Sequence, residues 1–527
     1  MTDCDRTPLY FDGELSPGDE PAVLDHLAGC TRCQAELGDW MGIEVALSRS
    51  RAAAGVTEAR TRRRVRWSIG AGVAAAAAAA AIAVLVLRGQ PAPSPIALAE
   101  TRSLEARVTA SAFDRHRPYR VERGAPAREV LPLGVLVDLE RRGDSAGLVA
   151  AHLLAGDLAR AGGVLDALPA SPQRDSDRAA AALAAGDPLA ALAQADAAIA
   201  VDPALAPALW NRALALDALE LPMVAAAALD DVAARGEPGW SDEARSRAAA
   251  LRVPFAVRAR ELAAYRAAAT AMLGGGPVLD AALARRHPGL ARRDLYRALA
   301  AAGSSEEVHA LAPLAIALEQ AAGDDRLRNM VRGSERRDFA VRRGLGDRYR
   351  ALIAGKLDRA AQDALVADLD RAGPAVTDLL VGALLEAPPT AATVVRLRRA
   401  AATGDAWIAV EAARRDAVLR RAAGDTTGAE QALLAIEEAC RDPAAALSCG
   451  EAGLILAGIY VQLRRPDDAE ARLRAARARL AAAAAPELGD PEPTDAGIAE
   501  LRGQRALAAG YRAERTLRDQ ANQRGRP

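Results

Sequence analysis

The sequence is poor in aromatic residues, which make up 3% of its 527 residues, and Lys356 is its single lysine. A β-sandwich is disfavoured, because strands prefer aromatic and β-branched side chains, whereas abundant alanine favours closely packed helices. The formal net charge of −1 provides no excess of positive charge for a nucleic-acid surface. We therefore expect an all-α protein that makes no direct contact with nucleic acid.

Motifs of enzymatic chemistry are also missing. No G-x-S-x-G or H-E-x-x-H pattern occurs, and the glycine-rich stretch at 273–280 lacks the Gly-Lys-Ser/Thr of a phosphate-binding loop. His116, His152, His287 and His309 are scattered singly, and we interpret them as structural. The sequence thus predicts a protein that is not an enzyme and has no catalytic residues.

Charge is absent from one long stretch, residues 67–87, where ten of 21 residues are alanine. A helix of this length spans about 31 Å, close to the thickness of a bilayer core. Only Arg88 and Arg102 follow it closely, whereas five arginines precede it within seven residues: Arg60, Arg62, Arg63, Arg64 and Arg66. Positive charge stays inside, so we predict a single-pass bacterial inner-membrane protein with a cytoplasmic N-terminus and an extracytoplasmic C-terminal region. A soluble alanine-rich helix is the alternative.

Three potential metal ligands occur together in "LDHLAGCTRC". His26 and Cys30 are four residues apart and share a helix face, and Cys33 begins the next helix. One imidazole and two thiolates suit tetrahedral Zn²⁺, which needs a fourth ligand in a structural site. Cys4 is the only other cysteine or histidine before the predicted span. A neighbouring aspartate is the alternative ligand, and an incomplete site is another.

The stretch "YFDGELSPGDEPAVLDHLAGCTRCQAEL", residues 10–37, resembles the zinc-binding anti-sigma factor family over nearly its whole core. The resemblance implies that His26, Cys30 and Cys33 bind zinc with an upstream ligand, here Cys4, and that the zinc is structural or a redox switch. It also implies a cytoplasmic partner, an extracytoplasmic-function sigma factor. Cys4 stands about one helical turn closer to His26 than the family pattern leads us to expect. A domain that has lost its metal is the alternative.

A short Ala-Gly-Asp or Thr-Gly-Asp motif recurs in the region that is predicted to be exported. Glycine ends a helix at positive φ and aspartate caps the next one, so each Gly-Asp pair predicts the turn of a helical hairpin. Their recurrence predicts an α-solenoid. The pattern stands at 155–157, 185–187, 322–324, 403–405 and 423–425.

Two stretches resemble tetratricopeptide repeats more closely. In "GDPLAALAQADAAIAVDP", Ala191 and Ala198 match the family's small packing positions, and Pro203 matches its closing proline. In "LILAGIYVQLRRPDDAEARLRAARARL", Ala469 and Ala476 stand at the same spacing. The resemblance implies a protein-binding repeat array, and a generic α-solenoid is the alternative.

The order of these parts resembles the front of some bacterial CHAT-domain proteins, in which a caspase-like peptidase follows the repeats. The stretch "RSLEARVTASAFDRHRPYRVERG" contributes to this resemblance. A peptidase of that kind would need a His-Cys pair, yet His309 is the last histidine, and neither Cys440 nor Cys449 has a histidine within the preceding hundred residues. We therefore expect the peptidase to be missing.

Cys440 and Cys449 are predicted to form a disulfide. They lie at the end of one helix and near the start of the next, with Pro443 between them. Export would place them where oxidation is permitted. Two ordinary buried cysteines are the alternative.

The chain is accordingly predicted to act as a membrane signalling or scaffold protein with protein partners on both sides of the membrane. A true anti-sigma factor is one alternative, and the peptidase-less front of a CHAT-type protein is the other. The predicted divisions are a zinc-binding domain at 1–50, a basic linker at 51–66, the span at 67–87, a linker at 88–145, repeats at 146–252, an unassigned helical region at 253–400, repeats at 401–515 and a polar tail at 516–527.

Overall fold

The structure of the protein is a computed structural model. The residues that it describes are 30, 98–120, 129, 131–322, 325–402, 406–485, 488 and 493–524. The chain divides into two compact units, Met1–Ser94 and Pro95–Pro527. The predicted span at 67–87 and the predicted ligands Cys4, His26 and Cys33 lie outside the described residues. The fold described below is that of the second unit.

The described part of the second unit is helical and contains no β-strand, which confirms the predicted all-α class. A single isolated bridge pairs Arg102 with Tyr119. Short 3-10 turns lie at Gly373–Val376, Ala439–Arg441 and Pro443–Ala445. The α-helices are α1 Leu133–Arg142, α2 Ser145–Leu154, α3 Leu158–Ala167, α4 Pro172–Ala184, α5 Pro188–Val201, α6 Ala206–Ala218, α7 Pro222–Ala233, α8 Trp240–Leu273, α9 Ala281–Arg286, α10 Pro288–Ala301, α11 Ser305–Ala310, α12 Ala312–Ala322, α13 Arg326–Ser334, α14 Phe339–Ile353, α15 Arg359–Ala372, α16 Thr377–Glu386, α17 Ala391–Ala401, α18 Ala406–Ala422, α19 Thr426–Leu434, α20 Ala446–Gln462, α21 Pro466–Ala482, α22 Pro493–Leu501 and α23 Arg505–Arg524.

Helical hairpins form where the Gly-Asp punctuation predicts them. Gly156, Gly186 and Gly424 have φ of 72°, 76° and 80°, a conformation that glycine adopts without steric cost. The aspartate that follows each glycine accepts a hydrogen bond from the backbone N–H three residues later. These turns join α2 to α3, α4 to α5 and α18 to α19. The other two predicted turns, at 322–324 and 403–405, extend outside the described residues.

Small side chains allow the helices of each pair to pack closely. Ala191 and Ala198 on α5, and Ala469 and Ala476 on α21, are fully buried. A Cβ atom added to Gly453 on α20 would lie 2.8 Å from the Cβ of Ala476, so this contact has no room for a larger residue. The small positions are buried as predicted, while their assignment to tetratricopeptide repeats stays a prediction.

The 34-residue helix α8 takes part in two hydrophobic cores. Its first turns place Trp240 and Ala244 in a core shared with α2–α7. Its last turns place Leu262 and Tyr265 in a second core, shared with α10 and α12. Pro254 lies between the two halves, where α8 is largely exposed and one missing backbone donor costs least.

The last helix, α23, packs back on the early repeats through α5, α7 and α8. Glu514 is fully buried there, and its carboxylate accepts hydrogen bonds from the backbone N–H groups of Met223 (3.2 Å) and Val224 (2.9 Å). These donors belong to the first turn of α7, whose own N-cap, Leu221, has no capping side chain. A carboxylate from the end of the chain therefore caps a helix near the start of the repeats.

One described segment, Pro443–Gln462, is long and apolar enough to cross a membrane by length and composition. It includes α20, whose buried residues pack against α21 and α18. Ser448 within it donates a 2.7 Å hydrogen bond to buried Glu411. The core helix of a helical domain has the same length and composition, so this segment is weak evidence for membrane association.

Two predicted segments differ from the structure. The predicted linker at 88–145 includes residues 98–120, which pack into the first core, because Ala106, Val108 and Phe113 are apolar side chains that become buried there. The linker also includes α1. The predicted polar tail at 516–527 includes the last turns of α23, a helix that extends to Arg524.

Candidate functional site

The predicted zinc ligands are almost wholly outside the described part of the chain. Cys30, which is half-buried, is the exception. Among the described residues, no group of three or more histidine, cysteine, aspartate or glutamate side chains is placed to hold a metal ion. The candidate metal site therefore stays where the sequence predicts it, in the first unit.

The predicted cysteine pair comes together in the structure. A disulfide joins Cys440 and Cys449, whose Cα atoms are 5.7 Å apart. Cys440 lies in the 3-10 turn Ala439–Arg441, and Cys449 lies in the first turn of α20, where it is buried. The bond links the end of the α18–α19 hairpin to the start of the α20–α21 pair.

Residues 98–120 form an extended segment, here called the strap, which lies across the first helices of successive pairs. Asn211 on α6 binds the strap backbone in both directions: its Oδ1 accepts from the N–H of Arg107 and its Nδ2 donates to the Arg107 carbonyl, each at 2.8 Å. The indole N–H of Trp210 donates to the Glu105 carbonyl at 2.9 Å. Asp177 on α4 accepts from the backbone N–H and the hydroxyl of Thr109.

Arginine side chains fix the two halves of the strap to α8 and to each other. Arg102 forms a two-point ion pair with Glu243 at 2.6 and 2.8 Å. Arg107 pairs with Asp114 and Glu237, each at 2.6 Å. The guanidinium carbons of Arg102 and Arg107 lie 4.6 and 4.3 Å from the ring centroid of Trp240, within cation–π range.

Burial changes the proton affinity of the carboxylates that hold the strap. Burial raises the pKa of Asp177 to about 6, although its hydrogen bonds from Thr109 oppose the change. Burial also raises the pKa of Asp114, and the bonded Arg107 only partly offsets it. At Glu243 burial acts in the same direction, but the charge and hydrogen bonds of Arg102 outweigh it and lower the pKa.

The strap covers the inner surface of the first helix pairs, where it is held by α4 and α6. Asn211 is fully buried, and the strap residues Arg102, Ala106 and Val108 are nearly so. The fit extends to Gly239, which has φ of 77°; a Cβ atom there would meet the His116 ring of the strap. The surface of α4, α6 and α8 that faces the strap is therefore already occupied by the protein's own chain.

A second concave region, here called the cavity, is open. It has a volume of about 650 Å³ and lies between α10, α14, α16 and α18. This volume is within the range of small-molecule sites in proteins. Its apolar surface comes from Leu299, Ala300, Met330, Val381, Leu385 and Ile408, together with the ring pair Tyr296 and Trp407, whose centroids are 5.1 Å apart.

One wall of the cavity carries more positive than negative charge when Arg342, which is fully buried outside the lining, is counted with it. Asp378 on α16 pairs with two guanidinium groups, those of Arg342 (2.7 Å) and Arg337 (3.0 Å). Arg342 is fully buried and also donates to the carbonyls of Ala300 and Ala375, each at 3.0 Å. Burial and the charge of Arg342 lower the pKa of Arg337, in opposition to the attraction of Asp378.

The opposite wall is closer to charge balance. Arg414 pairs with Glu411 at 2.6 Å, and Arg293 pairs with Glu451 at 3.2 Å. Glu411 is buried, which alone would raise its pKa, but the charge of Arg414 and its hydrogen bonds lower the pKa overall. Glu411 therefore stays ionised as a fixed counter-charge.

Comparison with protein families matches residues 5–34 to the family described as "Putative zinc-finger". The match includes His26, Cys30 and Cys33, and it begins one residue after Cys4. No curated protein matches the chain. The matched segment supports the resemblance of the N-terminal region to zinc-binding anti-sigma domains, and it includes only the beginning of the chain.

Proposed function

We propose that the protein is a single-pass membrane signalling or scaffold protein, with a cytoplasmic zinc domain and an exported helical domain that meets an extracytoplasmic partner. The zinc-finger match at 5–34 carries this proposal. Two thiolates and an imidazole suit zinc, and domains of the resembling family act through a protein partner. A zinc domain of this kind on the cytoplasmic side would report to, or hold, such a partner.

Support for export comes from charge and from cysteine chemistry. The arginine cluster at 60–66 favours retention of the N-terminal side in the cytoplasm. The Cys440–Cys449 bond fits a domain that resides in an oxidising compartment, since thiols stay reduced in the cytosol. The two features come from opposite ends of the chain and support the same orientation.

The zinc part of the proposal is tested on full-length protein purified under reducing conditions. We expect one zinc ion per chain by elemental analysis, and its loss in the variants His26→Ala and Cys30→Ser. Cys440→Ser is the matched control, because it removes a thiol outside the predicted site. Protein without metal, or His26→Ala protein with a full complement of zinc, would contradict the assignment.

The orientation is tested with alkaline phosphatase, which folds only outside the cytoplasm. The reporter is fused after Pro527, because fusion near residue 100 would remove most of the strap from the domain. We expect activity from this fusion and none from a fusion at the N-terminus. Intact-mass analysis with and without reductant before alkylation should find Cys440 and Cys449 protected in the membrane-derived protein. The opposite pattern of reporter activity would overturn the topology.

The anti-sigma alternative is favoured by the same zinc-finger match. Its distinguishing result is direct binding of the full-length protein to an extracytoplasmic-function sigma factor encoded beside it. The CHAT-type alternative would instead be favoured by a neighbouring gene for a His-Cys peptidase.

A further inference from the structure

We infer that the cavity binds a carboxylate attached to an apolar or aromatic body, either a free organic acid or the C-terminal end of a peptide. The inference concerns the helical domain alone and does not depend on the zinc domain or on the topology. It rests on the size of the cavity, the chemistry of its surface and the distribution of its charges.

The apolar surface of the cavity suits a compact hydrophobic group. Leu299, Val381 and Ile408 form aliphatic patches, and the rings of Tyr296 and Trp407 lie in the same lining. Ligand sites in proteins combine such surfaces with a few polar groups that fix orientation. Gly382 lets the Tyr349 ring pack directly against α16 at the lining of the cavity, because any Cβ there would lie 2.6 Å from the Tyr349 hydroxyl.

The charged wall suits an anion. Arg337 and Arg342 share the single carboxylate of Asp378. Arg337 places one terminal nitrogen on Asp378 and the other on the Leu299 carbonyl, at 2.8 Å, and a guanidinium has five N–H donors. Arg336, exposed at the rim, forms no ion pair with any residue in the described part of the chain. A ligand carboxylate here would supply the missing negative charge.

The carboxylates that line the cavity are already engaged, which reduces their repulsion of an anion. Glu386 pairs with Arg297 at 2.6 Å, and Glu411 pairs with Arg414. Asp338 caps α14 by accepting from the N–H of Ala340 at 3.0 Å. An entering anion therefore meets two acidic side chains that are already paired, Glu386 and Glu411, and the guanidinium of Arg336 at the rim, which is unpaired in the described part of the chain.

Calorimetry on full-length protein in nanodiscs, with empty nanodiscs as the blank, tests the inference. The probes are 4-phenylbutanoate and its uncharged match 4-phenylbutanol, and the tripeptide acetyl-Ala-Ala-Phe with a free or an amidated C-terminus. We expect one site per chain and at least tenfold weaker binding of each uncharged probe. Binding of both acids, or of either one, supports the inference and identifies the source of the carboxylate.

Variants assign the binding to the charged wall. Arg337→Gln should weaken binding of the acid about tenfold or more, since a charge-assisted hydrogen bond is lost. Arg336→Gln, at the exposed rim, should weaken it with no change in thermal unfolding, which covers the case in which Arg337→Gln misfolds. Arg343→Gln is the matched control, because this arginine is exposed on α14 and outside the cavity lining. Three results would each overturn the inference: equal affinity for acid and alcohol, unchanged binding in both Arg336→Gln and Arg337→Gln, or no saturable binding of any probe.

Discussion

The N-terminal helix pairs and the cavity region are both built from alanine-rich helices, but their concave surfaces differ. The strap fills the first, whereas the second is open. In the first, the strap supplies a backbone, apolar side chains and arginines, and its buried Arg102 and Arg107 pair with nearby carboxylates. In the second, no described segment lies in the concave space, and two arginines share Asp378. Occupation by the protein's own chain thus distinguishes the filled surface from the open cavity.

The comparison also shows that a solenoid-like groove is not by itself a partner site. Asn211 binds a backbone in the manner in which a repeat protein would bind an extended peptide, but the peptide is its own chain. A partner of the helical domain must therefore use another surface or displace a segment that is part of the core. We regard the cavity as the better candidate because its use disturbs no packed residue.

Removing the main anchor of the strap should have the largest effect. Asn211→Ala leaves the buried N–H and carbonyl of Arg107 without partners, at about 1–3 kcal/mol each. We expect the strap amides at 102–109 to be destabilised by about 4 kcal/mol, which corresponds to roughly thousandfold faster hydrogen exchange. Native-state exchange with mass spectrometry measures this change.

The control for that experiment is Asn329→Ala, at an exposed position on α13. It should change exchange in the strap by less than about twofold. In Asn211→Ala, peptides from α16 and α18 should keep their wild-type protection. Unchanged exchange in the strap of Asn211→Ala would contradict its role as the anchor.

The buried carboxyl of Asp177 should make the filled groove sensitive to pH. Its pKa in the folded protein is about 6, against an ordinary 3.8, so the folded state holds a proton that the unfolded state releases. The stability of the strap region should therefore be greatest below pH 4 and fall as the pH rises through about 6, by up to about 3 kcal/mol.

Asp177→Asn should remove this dependence, because its amide keeps an acceptor for Thr109 and does not titrate. The difference in unfolding free energy between wild type and variant should be small at pH 4 and should favour the variant at pH 7. Parallel pH profiles of the two proteins would show instead that folding leaves the pKa of Asp177 unchanged. The cavity region does not contact Asp177, so its stability should depend on pH in the same way in both proteins.

Glu514→Ala should have a smaller effect, confined to the side of the molecule that contains the strap. The substitution removes two backbone hydrogen bonds at the first turn of α7, and we expect a loss of about 2 kcal/mol. The amides of Met223 and Val224 should exchange about thirtyfold faster. Glu500→Ala is the control, since that carboxylate is exposed and pairs only with exposed Arg512. Equal effects of the two variants would contradict a capping role.

Features set by short-range chemistry were predictable from the sequence. Gly156 ends one helix through its conformational preference, and Asp157 begins the next through its side-chain hydrogen bond. The three-residue pattern Ala-Gly-Asp was therefore enough to predict the hairpin turn. Cys440 and Cys449 are nine residues apart, and their spacing alone suggested that they could meet. Burial of Ala191 and Ala198 followed from their spacing along a helix.

Features set by distant pairing were not predictable. The strap was interpreted as part of a linker, and the partners of its arginines, Glu243 on α8 and Glu237 just before it, are more than a hundred residues away. Nothing near Asn211 indicates that it binds the backbone of Arg107, 104 residues earlier. The cavity likewise depends on four helices whose relative placement no local pattern specifies. The buried apolar residues Ala106, Val108 and Phe113 were the only signal for the strap, and they are few.

The return of α23 to the early repeats affects the order in which the chain can complete its structure. Repeat proteins usually gain stability from neighbours next to them in sequence. Here the N-terminus of α7 is capped by Glu514, which lies about 290 residues later in the chain. At a synthesis rate of about 5–20 residues per second, that delay is roughly 15–60 s. Throughout this interval the first turn of α7 lacks the carboxylate that caps it in the complete fold.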